Sequence, residues 1–291
     1  HFNTMYIQNS ENEISDYNAL MLDFDRDAYL INTRNSLRTN VLFNNQLRGK
    51  HKLLNNERLE LNWGFSKSDA NSNEPDRAQL LYQSNDLTNY TFSGLNASDN
   101  HKFFSELKDD ELAYNINGTL FLKKDEDKSR GNIEVGAQGK SSHRTFWWRQ
   151  MNMNIDQLVN EIEEANAFVS VDNPDEFLNN DQLSNGSYYY KEQIDPSREH
   201  EIWQSINSFY GNLNYDLIEE KLNLNIGVRA EMSSQTIKYK KLGDLISGEF
   251  RIINYDTTVV LPSLGLKLSV NDKSNLRFAA SQTVSRPRSE E

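Results

Sequence analysis

Hydrophobic and polar residues alternate one by one along several stretches of the chain. Leu222, Leu224, Ile226, Val228, Ala230 and Met232 are interleaved with Asn223, Asn225, Gly227, Arg229 and Glu231. Leu59, Leu61, Trp63 and Phe65 alternate with Glu60, Asn62 and Gly64. Leu112, Tyr114, Ile116, Leu120 and Leu122 do so against Asn115, Asn117 and Thr119, and Leu264, Leu266, Leu268 and Val270 against Gly265, Lys267 and Ser269. A period of two sends successive side chains to opposite faces of a strand, one apolar and one polar. Weaker versions of the pattern cover about 2–8, 33–50, 131–146, 200–217 and 274–284. The pattern predicts nine strands and very little helix.

The connections between these strands fall into two classes. Leu54-Asn55-Asn56, 125–130, Glu219-Glu220 and Asn271-Asp272-Lys273 are short and polar, whereas about 9–31, 68–110, 148–199 and 238–257 are long. Short and long connections alternate along the chain. A soluble sandwich favours short loops at both ends of its sheets. A transmembrane β-barrel combines short periplasmic turns with long extracellular loops, and needs strands of roughly 9–11 residues to cross the hydrocarbon. Tyr114, Trp147 and Trp203 fall at strand ends on the long-loop side and Tyr215 near a short turn, as two interfacial girdles require.

The polar positions decide the width. Glu60, Asn62, Asn115, Asn117, Asn223, Asn225, Arg229 and Glu231 face inward on this reading, and a dry core would penalise them. A wide, hydrated lumen accommodates them, with Glu60, Asn117, Arg229 and Glu231 as candidate lumen-lining residues. The fold class expected is an all-β, antiparallel transmembrane β-barrel segment of about nine strands from a larger barrel. Nine is odd, bacterial barrels are even and closed, and hydrocarbon does not tolerate an open sheet edge. Residues 1–291 are therefore expected to be a partial barrel. His1-Phe2-Asn3-Thr4, without a basic and apolar leader, agrees with an internal piece.

Composition narrows the classes further. Only 36% of the 291 residues are hydrophobic and mean hydropathy is -0.78, yet 11% are aromatic, which argues against wholesale disorder. No run approaches the roughly 18 apolar residues of a membrane-spanning helix. A net charge of -12 opposes a nucleic-acid partner, and the absence of Cys removes disulfides, thiolate metal sites and cysteine nucleophiles.

Three blocks near the end carry a resemblance: Leu261-Pro262-Ser263-Leu264-Gly265-Leu266-Lys267, Asn271-Asp272-Lys273-Ser274-Asn275-Leu276-Arg277 and Ser281-Gln282-Thr283-Val284-Ser285-Arg286-Pro287. Together they resemble late strands in the barrel of TonB-dependent outer-membrane receptors. Ile226-Gly227-Val228-Arg229-Ala230-Glu231 is similar to another strand of that family, with Ala230 where Tyr is usual. Leu47-Arg48-Gly49-Lys50-His51 with Trp63 and Pro75-Asp76 is similar to a third region. The resemblance implies the outer membrane of a Gram-negative bacterium and import of a scarce nutrient (siderophore, glycan or peptide). It implies outer-membrane lipid and TonB as partners, TonB acting through a plug domain absent from this chain, with a surface lipoprotein as a further partner. The first strands and the C-terminal aromatic strand of such a barrel are likewise expected to lie outside residues 1–291.

Candidate chemistry is sparse. His1, His51, His101, His143 and His200 show no metal-protease spacing, and no phosphate loop or nucleophile elbow occurs, so neither an enzyme, a cofactor nor a metal centre is expected. The stretch 148–199 is strongly acidic. Within it 154–168 predicts a short helix carrying Leu158, Ile162, Ala165 and Phe168 on one side, capped by Asn154 or Asp156. Candidate ligand-contacting residues are Trp148, the run Tyr188-Tyr189-Tyr190, which suits sugar or catechol rings or plain packing, and Asp172 and Asp175, which offer oxygens to Ca²⁺ without EF-hand spacing. A passive porin-like channel and a soluble β-rich carbohydrate-binding module are the rival readings.

Overall fold

The computed structural model describes residues 1–291 apart from 24, 25, 55–57, 94, 95, 97, 126, 127, 156–168, 220, 242, 245–247, 272 and 286–291. Nine long strands form one antiparallel sheet in chain order: β1 (Phe2–Asp23), β2 (Arg26–Leu53), β3 (Leu59–Ser84), β5 (His101–Asp125), β6 (Lys128–Ile155), β8 (Glu199–Ile218), β9 (Leu222–Tyr239), β10 (Arg251–Asn271) and β11 (Ser274–Ser281). Two short strands, β4 (Thr91–Phe92) and β7 (Tyr188–Glu192), pair with β3 and β6 off this path. The short α-helix α1 (Asn180–Ser184) is capped by Asn179, whose side chain accepts from the Gln182 amide. No described helix is long and apolar enough to cross a membrane.

Register converts the alternation into two faces. Leu53, Leu59, Leu120, Ile133, Leu213, Ile226, Leu264 and Ala280 are successive cross-strand partners, an unbroken apolar row from β2 to β11. One residue away runs Lys52, Glu60, Thr119, Glu134, Asn212, Gly227, Ser263 and Ser281 on the other face. A slip of one residue at any strand would exchange lipid and water faces there, so the pattern itself locks the register.

The apolar face ends abruptly. The row Asn45, Lys67, Leu112, Ser141, Ser205, Ser234 and Asp256 is polar but for Leu112. Below it, Leu222 to Met232 on β9 spans about 34 Å along the strand at ~3.4 Å per residue, or about 25 Å of membrane depth at a tilt near 40–45°. That matches the apolar band of a barrel.

The two ends differ as the sequence predicts, but much of each long excursion is strand. β1 and β2 stay paired to Asp23 and Arg26, so the expected loop at 9–31 is a hairpin arm. Likewise β3 runs on to Ser84, β5 starts at His101, β6 reaches Ile155 and β10 starts at Arg251. Asn154, expected to cap a helix, is the penultimate residue of β6, and 156–168 lies outside the described residues. Above the polar row both faces meet water, so the backbone ladder continues without any hydrophobic alternation to announce it.

Aromatic side chains on the apolar face cover glycines. The Trp63 indole lies over Gly49 and donates to His51 Nε2 at 3.1 Å, which joins the Gly, His and Trp of one resemblance block into a single contact. Tyr114 covers Gly139 and Tyr215 covers Gly131 in the same way. Higher up, Trp203 stacks on His143 at 4.8 Å and Trp147 donates to Glu106 at 3.0 Å. A side chain at Gly49 has no room: its Cβ would run into the Trp63 indole. Gly49→Val is expected to destabilise the barrel by about 1–3 kcal/mol through overpacking. Urea unfolding followed by tryptophan fluorescence measures it, and Gly49→Ala should give a smaller loss.

Candidate functional site

The polar face is the concave one. Glu74, Gln79, His101, Asn152, Ser208, Glu231 and Ser233 all lie on it and are buried, while Ile116, Phe209 and Val228 on the apolar face are 46–55% exposed. Within the membrane band the polar side chains form two linked groups. Arg229 Nε donates to Glu231 Oε2 at 3.0 Å, and with the Gln138 amide oxygen turned toward it the guanidinium also donates to Gln138 at 2.5 and 2.8 Å. Tyr210 Oη and Asn117 Nδ2 both donate to Glu134 Oε1, at 2.9 and 3.2 Å. Nearer the short turns Glu60 pairs with Lys50 at 2.7 Å and accepts from Asn62 at 3.1 Å. Glu60, Asn117, Arg229 and Glu231 thus share one face with mutually satisfied charges, a wall suited to a water-filled lumen.

Above the membrane band the same face carries arginines and aromatic rings. A bulge in β3 near Glu74, which shifts its register against β2 at Leu37/Thr39 and against β5 at Glu74/Arg77, re-phases β3 alone and turns Arg77 to the concave side, where Arg34 and Arg38 of the unbulged β2 already lie. Arg77 and Arg38 lie 3.7 and 3.9 Å from the buried Glu74 carboxylate. The Arg77 guanidinium sits 3.9 Å above the Phe103 ring, and Phe103 stacks on Trp148 at 5.7 Å. His101 donates through Nδ1 to the Ser98 carbonyl at 2.7 Å. Burial, with Arg77 and Arg34 nearby, pushes its pKa below that of a free imidazole.

The convex side of this extension holds a small core. Tyr82, Phe92, Met153, Val169 and Tyr188 are buried together, with Phe177 and Tyr190 against them. Tyr82 stacks on Phe92 at 5.2 Å, and the Val169 amide donates to the Tyr90 carbonyl at 2.8 Å, stitching two connections onto the wall. The segment 84–89 is folded by Asp86, which accepts from the Thr88 and Asn89 amides at 2.9 and 2.8 Å; those bonds hold its carboxyl well below the usual carboxylate range.

The ligand candidates separate accordingly. Trp148 lies on the concave face and lines a 370 Å³ cavity with Trp147, Arg149, Glu192, Arg198 and Glu199. Tyr188 is buried and donates to the Asn179 carbonyl at 3.1 Å, Tyr190 packs edge-on against it at 6.1 Å, and Tyr189 projects outward on the opposite side of β7. Asp172 and Asp175 are exposed, the first ahead of the 3-10 turn 174–176 and the second within it, and among the described residues no group of His, Asp and Glu is arranged to hold a metal. Arg34, Arg38, Arg77, His101 and Phe103 were not singled out from sequence. The Arg-rich spacing at 34 and 38 was the available signal.

The sequence model described as TonB dependent receptor-like, beta-barrel, matches residues 3–291. The chain belongs to this family. TonB-dependent receptor barrels are transport receptors rather than enzymes, and the outer membrane of a Gram-negative bacterium is where this one resides. Among solved structures the chain is similar to the alcaligin outer membrane receptor FauA from Bordetella pertussis, at 8% identity and a TM-score of 0.34 over 93% of this chain and 38% of that one. It is similar also to the siderophore receptor PiuA from Acinetobacter baumannii, at 9% identity and a TM-score of 0.31 over 93% of this chain and 46% of that one. The chain therefore spans less than half the length of either receptor. No curated protein matches it.

At the mouth of this TonB-dependent receptor barrel, Arg251 clips the β9–β10 connection by donating to both Asp244 oxygens, at 2.5 and 2.9 Å. The guanidinium and the Lys241 amide lower the Asp244 pKa to about 2. A depressed carboxylate stabilises above its unfolded pKa of about 3.9 and loses that contribution as pH falls through the folded value, so the clip should open between about pH 4 and 2. Carboxyl ¹³C NMR should show Asp244 titrating near 2 and returning toward 3.9 in Arg251→Ala.

Proposed function

We propose that this chain forms wall and mouth of an outer-membrane active-transport receptor that imports a scarce nutrient, a siderophore, glycan or peptide, with energy relayed by TonB. The observation that carries the reading is the concave face. It runs polar from β2 to β11 behind an apolar band of membrane depth, in a chain that matches the receptor family over nearly its whole length. A narrow barrel would fill this face with apolar side chains; Arg229, Glu231, Glu134 and Lys50 call for water and for something that moves through it.

Among the described residues β1 and β11 each leave one edge unpaired, and lipid does not tolerate unpaired backbone groups. In the proposal, further strands close the barrel, a plug domain fills the lumen and contacts TonB, and a surface lipoprotein covers the mouth. Residues 1–291 are then a partial barrel. Mouth residues capture cargo, the plug blocks the lumen, and its displacement by TonB admits the cargo. No covalent step is required of this chain.

The test is uptake. A strain lacking the full-length gene is grown on single nutrients, with and without TonB. Growth restored by the gene only when TonB is present supports the proposal. Uptake that persists without TonB would establish a passive channel instead, and recovery of the protein in the aqueous fraction without detergent would establish a soluble module.

A further inference from the structure

The 370 Å³ cavity belongs to the outer side of the wall. Trp147 and Arg149 share the parity of Ile133 and Val135, which face lipid lower on β6, while Glu199 pairs with Trp147 and Glu192 with Met151 on that same convex face. The cavity sits where the sheet divides. Pairing of β6 with β8 ends at Trp147 and Glu199, and pairing with β7 begins at Met151 and Glu192. In between, the Gln193 amide donates to the Gln150 carbonyl at 2.8 Å, and the tight turn Pro196–Arg198 brings the chain back. Asp195 caps that turn by accepting from the Ser197 amide at 2.7 Å, which fixes Arg198 at the edge of the hollow.

Height decides what the hollow faces. Trp147 is six residues beyond Ser141, which lies in the polar row that closes the apolar band. That is about 20 Å along the strand and about 14 Å of height at a tilt near 45°. Outer-leaflet lipids of a Gram-negative envelope carry their phosphorylated sugars in this layer. Cargo crossing the lumen passes the concave face, so it is the wrong class of occupant for a hollow on the convex one.

The lining suits such a headgroup. The Trp147 indole is 40% exposed and its Nε1 donates to Glu106 at 3.0 Å, so the ring is held in place yet open to a partner. Indole faces pack against the apolar faces of pyranose rings. Arg149 forks onto Glu192 at 3.0 and 3.2 Å, and Arg198 shares the same carboxylate at 3.7 Å, beyond hydrogen-bond reach. Glu199 is matched by Lys240, whose ammonium also lies 4.1 Å from the Phe250 ring centroid. Two guanidiniums and an ammonium against two carboxylates leave one positive charge, in a chain of net charge -12. Arg198 carries it, since its guanidinium makes no hydrogen bond among the described residues. A guanidinium is the side chain best shaped to hold phosphate oxygens. One surplus charge makes a weak site for a dilute anion, but lipid headgroups confined to the adjoining leaflet are present at high effective concentration.

We propose that this cavity holds a phosphorylated core sugar of an outer-leaflet glycolipid, with Trp147 packed on the ring and Arg198, beside Arg149, on the phosphate. The inference rests on the outer-membrane placement of the barrel and not on what the barrel transports.

The full-length receptor is stripped of lipid in detergent, checked for folding by heat-modified mobility, and titrated with lipopolysaccharide truncated to its inner core. Binding is read by native mass spectrometry. The form bearing core phosphates is expected to bind about tenfold tighter than the same lipid without them, the usual worth of a charge-assisted hydrogen bond. Arg198→Gln should abolish that preference and Arg198→Lys restore part of it, whereas Trp147→Ala should weaken both forms several-fold. Arg198 is outside the sheet, so its substitution leaves the wall able to assemble. Equal binding of the two lipids overturns the site, as does a preference that Arg198→Gln leaves intact. Glucose 6-phosphate separates the sources: binding as tight as that of the glycolipid would mark a site for soluble sugar phosphates and overturn the lipid assignment.

Discussion

Arginine at Ile116 is expected to keep the protein out of the outer membrane, and arginine at Asn117 to leave it there. The two positions are neighbours on β5 and face opposite media. Ile116 lies between Trp63 and Ala137 on the apolar side, within the lipid band. A guanidinium there costs about 2–4 kcal/mol near the bilayer midplane. Asn117 lies between Asn62 and Gly136 on the concave side and already donates to Glu134 at 3.2 Å. Arginine there gains a carboxylate partner in a hydrated lumen. Fractionation of cells, with heat-modified electrophoretic mobility as the mark of a folded barrel, measures both. Equal behaviour of the two variants would mean that the sheet does not separate lipid from water.

Tyr82→Ala should have the larger effect, and a local one. Tyr82 is 1% exposed, the most deeply buried large side chain described, and stacks on Phe92, which contacts Phe177 at 5.7 Å. Truncating a buried aromatic typically costs about 3–5 kcal/mol, because the cavity collapses only in part. Here the loss falls on a core outside the membrane, so the barrel wall should remain while the connections packed on Tyr82 come loose. Protease added to whole cells should cut near residues 85–100 and 169–187 in the variant and spare the wild type. Tyr82→Phe should resist cutting, since burial has pushed the phenol up to about 12 and ring packing, not ionisation, holds the site. An unchanged cleavage pattern would sink the assignment of this core.

Legibility tracked the solvent. β9 was readable at Leu222–Met232 because lipid on one side and water on the other impose a period of two. The same strand from Ser233 to Tyr239 was not, because both of its faces meet water. Hence 9–31 read as loop although it pairs residue for residue. That Glu60 and Arg229 share the polar face followed from parity alone. The face of Arg77 did not, because the β3 bulge that sets its parity leaves no hydrophobic trace, and that of Arg34 did not, because it lies above the apolar band, where no alternation marks the face. Tyr82 and Tyr188 were hidden for a related reason: their core is assembled from segments distant in sequence, each too short to show a pattern of its own.

The continuation of the strands beyond the lipid changes what can reach this protein. From Phe65, the last outward residue of β3 within the apolar band, to Ser84 the strand runs on for about 60 Å at ~3.3 Å per residue, or about 40 Å of height at a 45° tilt. The opening is therefore the top of a collar, not a hole flush with the surface. Bulky molecules held off by the sugar coat of the outer leaflet meet the rim first. Antibodies, phage fibres and large glycans alike would be sorted at that height, by the polar collar, before the membrane plays any part.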